Sequence, residues 1–202
     1  MRATALVVAL HGHQDDPASL ADRLASLEGP HRTVLAPRSP HSLDGEPVWF
    51  RSDDDGPVEA DLVASLAWLD ATIAEACASG GFGRDQVVIG GSSQGGATAL
   101  ALALRDGGSA TPFAGVFAMS GWLPHADAID YDAAALAAGG TVALVVHGAD
   151  DEVVPVQQGR SAARYLERHG VAIRYVELPG GHHLGAPAVA ELAGWLDGAT
   201  DG

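Results

Sequence analysis

Apolar positions along the chain switch between short β-rich runs and stretches with a period near 3.6. Residues 4–10 (TALVVAL) are a short β-rich run closed by His11-Gly12 and predict a strand. Residues 17–27 place Leu20, Leu24 and Leu27 at helical spacing, with Pro17 suited to a first turn. Residues 33–36 are a second short strand. Residues 37–57 hold four prolines and the run Asp53-Asp54-Asp55-Gly56, so they read as a long loop. From 58 to 77, Val58, Leu62, Leu66, Leu69, Ile73 and Cys77 share one helical face. The alternation continues with a strand at 86–89, a small-residue helix at 95–104 and a strand at 113–118. An alanine-rich, loop-like stretch at 122–140 has room for one short helix. A strand at 141–146, a helix at 156–169, a strand at 171–178 and an amphipathic helix at 187–196 complete the pattern.

Six strands separated by helices predict an α/β protein, with a mostly parallel sheet flanked by helices on both faces. No composition break or fixed-period repeat divides the chain, so residues 1–202 read as one domain. In such a sheet ligands gather outside the carboxyl ends of the strands, and a reactive residue is expected just after a strand.

Composition then narrows the function classes. At 47% apolar and 18% charged, the 202 residues suffice for a real core without metal or disulfide staples. The formal charge is −15, with eleven basic residues, all arginine, against twenty-six acidic ones. That charge opposes nucleic acid and anionic membrane surfaces, because each phosphate meets net repulsion. No uninterrupted apolar run approaches the roughly 20 residues of a membrane span, so no integral membrane association is expected. Residues 3–10 run into His11-Gly12 without a small-residue cleavage site, and read as an internal strand, not a leader. The single cysteine, Cys77, can form neither an internal disulfide nor a thiolate zinc site, and agrees with a cytoplasmic location.

The strongest chemical signal is Gly91-Ser92-Ser93-Gln94-Gly95-Gly96, between a strand and a helix. It matches G-x-S-x-G, in which a serine on a sharp turn points out of the sheet. Only Ser93 has glycine at both −2 and +2; Ser92 does not. A serine hydroxyl needs a base, and the base needs an orienting acid, in the chain order Ser, Asp, His. Asp150 and Asp151 follow the strand at 141–146, and His182 and His183 follow the strand at 171–178. An oxyanion hole is expected from the backbone N–H of Gln94, at a helix start, and that of His13 or a neighbour after the first strand. His11 reads as a core residue holding loops together. His13 lacks partners at ligand spacing, and Asp53–Asp55 lack the spacing of a calcium loop, so no metal site is expected.

These residues together resemble the carboxylesterase/phospholipase family of α/β hydrolases, which includes acyl-protein thioesterases. The family's L-H-G stands here as Leu10-His11-Gly12, its W-F as Trp49-Phe50 and its S-Q-G-G as Ser93-Gln94-Gly95-Gly96. Its S-G-x-L-P is Ser120 to Pro124. Its H-G-x-x-D-x-V-V-P is His147 to Pro155, which selects Asp151, and its final G-H is Gly181-His182, which selects His182. The resemblance implies an α/β-hydrolase fold and a Ser93–His182–Asp151 triad. It implies a carboxylesterase acting through an acyl-enzyme on small esters of short to medium acyl chain, with no cofactor. Thioesters or lysophospholipids are alternative substrates, and a non-catalytic binding module on the same fold is the alternative from another class. Trp49, Phe50, Trp122 and Leu123 are candidate walls of the substrate pocket, and their loops suit a homodimer contact equally well. The chain departs from the family in three places: nine residues precede Leu10, too few for the usual opening hairpin; Arg51 replaces an aspartate; and His13-Gln14-Asp15-Asp16 replaces a small apolar residue plus Gly-Asp. No insertion is long enough for a lid domain, which predicts an open cleft.

Overall fold

The short apolar runs pair side by side while the helical stretches wrap around them. The structure, a computed structural model, describes residues 5–53, 56–105, 111–183 and 185–199. In chain order the elements are β1 (Ala5–Leu10), α1 (Pro17–Leu24), β2 (Arg32–Leu35), β3 (His41–Leu43), β4 (Glu46–Val48), β5 (Ser52–Asp53), β6 (Gly56–Pro57), α2 (Glu59–Gly80), β7 (Val87–Ser92), α3 (Gln94–Arg105), β8 (Gly115–Met119), α4 (Ala133–Ala138), β9 (Val142–Gly148), α5 (Val156–Arg168), β10 (Ala172–Leu178) and α6 (Gly185–Ala199). The main sheet has the order β10-β9-β8-β7-β1-β2, and every pairing in it is parallel.

Strand alternation divides the core in two. Leu6, Val8 and Leu10 of β1 join Leu62, Leu66 and Leu69 of α2 and the leucines of α3 on one face. Val7 and Ala9 face the other way, onto Leu20 and Leu24 of α1 and Leu192 and Leu196 of α6. Each fully buried leucine or valine contributes roughly 1.5–3 kcal/mol over its exposed state. α1 begins as its sequence suggests: Asp16 accepts from the Ala18 and Ser19 amides, at 3.2 Å each, and Pro17 follows in the first turn.

One expectation is corrected here. The segment expected as a plain loop contains two small hairpins, β3–β4 and β5–β6. The first turns through Asp44 (φ +54°) and Gly45 (φ +87°), the doubly left-handed geometry of a two-residue hairpin. The Asp-Gly pair was the available signal. α2 has 22 residues and, by length and composition alone, is apolar enough to match a membrane span. It nevertheless buries Leu62, Leu66, Leu69 and Ile73 in the core. It also carries Asp61, bonded to Arg51 through Nε (2.7 Å), Nη2 (2.9 Å) and the backbone N–H (3.1 Å). Cys77, in the last turns of α2, is half-buried, and burial raises its thiol pKa.

Candidate active site

At the end of β7 the chain reverses into α3 within one residue. Ser93 sits there at φ +53°, in the left-handed region that side-chain-bearing residues seldom adopt. Its own N–H is held by Met119 O at 2.8 Å. The flanking glycines are sterically required. A Cβ on Gly91 would lie 2.3 Å from Leu10 O, and one on Gly95 would lie 2.2 Å from the same oxygen. Gly12 is less constrained, since a Cβ there would meet Ser93 Cβ at an ordinary 3.6 Å.

The turns after β9 and β10 are stitched together. Ala149 N–H donates to Leu178 O and Asp150 N–H to Gly180 O, both at 2.9 Å. A Cβ on Gly148 would lie 2.2 Å from Gly181 O, so only glycine lets the two turns approach this closely. The approach brings His182 Nδ1 to 2.8 Å from Asp151 Oδ2 and 3.1 Å from Oδ1. His182 Nε2 then lies 2.9 Å from Ser93 Oγ. Because Nδ1 faces a carboxylate, it carries the proton, and Nε2 is left to accept from the serine hydroxyl. Oδ1 of Asp151 also accepts from the Val153 and Val154 amides, at 2.9 and 2.8 Å. Burial pushes the Asp151 carboxyl pKa up, but the Val154 N–H, the His182 ring and the Val153 N–H outweigh it and leave it below the ordinary aspartate value. A hydroxyl, an imidazole and a buried anionic carboxylate in this order form an arrangement able to generate an alkoxide nucleophile.

The other predicted residues divide. His13 lines the groove beside Ser93. Neighbouring amides are engaged: Gln14 N–H donates to Pro47 O and Asp15 N–H to Gly12 O. Gln94 keeps its side chain out of the groove. Its buried side chain accepts from Trp49 N–H at 2.8 Å and donates to Phe50 O at 2.7 Å, tying the segment after β4 to the elbow. His11 is fully buried, donating from Nδ1 to Gly12 O and accepting at Nε2 from Ser39 N–H; burial lowers its pKa.

Of the four expected walls, Trp49 and Phe50 are corrected by their burial. Trp49 and Phe50 are 0% exposed. Trp49 stacks at a tilt on His11 and Trp68, and its Nε1–H donates to His11 O at 2.9 Å. Phe50 meets Trp122 edge-on, and Trp122 and Leu123 are half-buried against the α2–α3 core. None of the four lines the groove, and Trp49 and Phe50 present nothing to a second copy of the chain. The groove lies on the other side of Ser93 and holds about 650 Å³. Its apolar walls are Leu20 and Leu24 of α1, Met119, and Ala188 and Val189 of α6, with the Arg23–Asp15 ion pair (2.6 Å) at its edge. Sequence reasoning missed these walls, because their helical spacing is the same as that of core residues. It also assigned no role to Ser120, whose Oγ donates to His182 O at 3.1 Å. Among the described residues no group of three or more His, Cys, Asp or Glu could hold a metal ion.

Comparison with known proteins places the chain in a family. The Phospholipase/Carboxylesterase family model matches residues 1–192. Lysophospholipase-like protein 1 of Mus musculus is 30% identical over 166 residues, 77% of this chain and 67% of that protein. A probable carboxylesterase, SOBER1-like, of Arabidopsis thaliana is 32% identical over 143 residues, 68% of this chain but only about half (51%) of its own length. The crystal structure of a carboxylesterase from Mesorhizobium loti superposes with a TM-score of 0.82 at 26% identity, covering 96% of this chain and 88% of that one. With the match running almost from end to end, the chain belongs to the phospholipase/carboxylesterase family of α/β hydrolases.

Proposed function

We propose that the protein is a carboxylesterase that cleaves small esters of short to medium acyl chain through an acyl-enzyme on Ser93. The observation that carries this reading is the continuous hydrogen-bonded path Ser93 Oγ–His182 Nε2 (2.9 Å) and His182 Nδ1–Asp151 Oδ2 (2.8 Å) at the mouth of an apolar groove. His182 takes the Ser93 proton as Oγ bonds to the ester carbonyl carbon. The resulting oxyanion is received by the N–H groups of Gln94 and His13. The C–O bond to the alcohol breaks, and the alcohol leaves with the proton from His182. Water then gives a proton to His182, attacks the acyl carbon and releases the acid, returning the proton to Ser93. Asp151 holds the tautomer and stabilises the imidazolium. No step calls for a cofactor. The acyl chain lies in the groove between α1 and α6, whose apolar walls favour hydrocarbon and whose Arg23–Asp15 edge limits its length.

The test is hydrolysis of p-nitrophenyl esters from acetate to laurate, with acyl thioesters and a lysophospholipid in parallel, by the wild type and Ser93→Ala. Ester turnover is expected to peak at short to medium chains and to fall on the order of 10⁴- to 10⁶-fold in Ser93→Ala. Preference for the thioester or lysophospholipid moves the substrate class while keeping the triad. Full activity in Ser93→Ala, or failure of a fluorophosphonate to label the wild type, overturns the reading; the second outcome favours a binding module.

A further inference from the structure

Two histidines are fully buried behind the site, and they differ in one atom. In His11 both ring nitrogens are bonded. In His147, on β9, Nε2 lies 2.8 Å from Val154 O and 3.4 Å from Asp151 Oδ2, while Nδ1 is buried with no partner among the described residues. The bare Nδ1 faces Gly159 of α5, where an added Cβ would lie 2.4 Å from it. A carbonyl only accepts, so Nε2 must carry the ring proton. An aliphatic side chain would fill this volume without leaving a nitrogen unpaired, so packing alone does not account for a histidine here.

The bond made by Nε2 falls on a telling residue. The Val154 amide donates to Asp151 Oδ1 at 2.8 Å, and its carbonyl precedes Pro155, whose ring fixes the next torsion at φ −53°. Val154 is thus gripped from both sides: by the carboxylate at its N–H and by the imidazole at its C=O. We propose that His147 is a positioning residue, whose Nε2–H clamps the 151–154 turn and so holds the Asp151 carboxylate against His182. The inference rests on the hydrolase reading above, since it takes the Ser93–His182–Asp151 path to be the one that does chemistry. His147 lines no part of the groove, so its loss acts on kcat and leaves KM in place.

The test compares two amides. The Gln side chain in His147→Gln reaches where Nε2 stood and still donates to Val154 O; the Asn side chain in His147→Asn stops at the Nδ1 position and cannot. His147→Asn is expected to lose about tenfold or more in kcat on a p-nitrophenyl ester with KM unchanged, whereas His147→Gln stays within about threefold of wild type. Thermal melts of both establish that they fold. Equal kcat in the two variants, or wild-type kcat in His147→Asn, overturns the clamp. A second measurement needs no variant: nitrogen NMR of isotope-labelled histidine in the wild type is expected to show His147 protonated at Nε2, and a proton on Nδ1 alone refutes the proposal. If Ser93→Ala is inactive while the Asn and Gln variants match, the clamp fails and the hydrolase stands. An active Ser93→Ala removes the hydrolase reading itself.

Discussion

The turns after β7 and β8 lie side by side, and each carries a serine in the left-handed region: Ser93 at φ +53° and Ser120 at φ +49°. Each is pinned at its own N–H by the next strand over, Ser93 to Met119 O and Ser120 to Val146 O, both at 2.8 Å. Their hydroxyls meet different atoms of His182. Ser93 is half-buried and opens on the groove toward His182 Nε2; Ser120 is 0% exposed and donates to the backbone carbonyl of the same histidine. One strained turn presents a reactive atom, and its twin fixes the loop that carries the base. A left-handed serine is therefore not by itself a mark of a nucleophile. The direction of its hydroxyl and its exposure decide.

This contrast can be broken or sharpened in order of effect. Ser93→Gly is expected to lose activity on the order of 10⁴-fold or more. It should also gain about 1 kcal/mol of stability as the backbone strain is relieved, seen as a Tm rise of about 2–4 °C. Loss of stability there would mean that the elbow is not strained. Ser120→Ala keeps the backbone torsion but removes the bond to His182 O, and about a tenfold fall in kcat at unchanged KM is expected from steady-state kinetics. A wild-type kcat would reduce Ser120 to packing. Arg51→Ala is the smallest and serves as the control, since the Arg51–Asp61 pair touches neither turn. Arg51 holds the Asp61 carboxyl at about 2, below its ordinary 3.8, so the pair stabilises the fold above about pH 4 and that contribution is lost as pH falls through about 2. With the guanidinium largely in water, the cost is small, a drop of about 1–4 °C in Tm near neutral pH that fades toward pH 2, with kcat untouched.

The parts of the fold and site that were legible in the sequence share a physical cause. β1, β7, β8 and β9 are buried on both faces and read as near-continuous apolar runs. The elbow was legible because Gly91 and Gly95 answer a clash with one backbone oxygen, a local requirement written as two glycines at fixed spacing. The neighbourhood of Trp49 and Phe50 was not, because burial in an irregular segment has no period; it depends on Gln94, some 45 residues away, bonding their backbone. The groove was illegible for the converse reason. Leu20 and Leu24 are 2% and 1% exposed and serve as core and as wall at once, so no substitution pattern separates the two roles. The three-residue strands β3 and β4 were lost among prolines, although Asp44-Gly45 marked their turn.

The three side chains that meet at the rim come from distant stretches of chain, Ser93 and His182 being 89 residues apart and Asp151 and His182 31. Nothing in one segment foreshadows the assembled geometry, which exists only when β7 through β10 lie in register. Such non-local parallel pairings form slowly. On a translating ribosome the hydroxyl emerges well before its imidazole, so the growing polypeptide is chemically silent until its last strand docks. Under the proposed reaction, ester turnover is therefore a stricter gauge of complete folding than the recovery of helical signal.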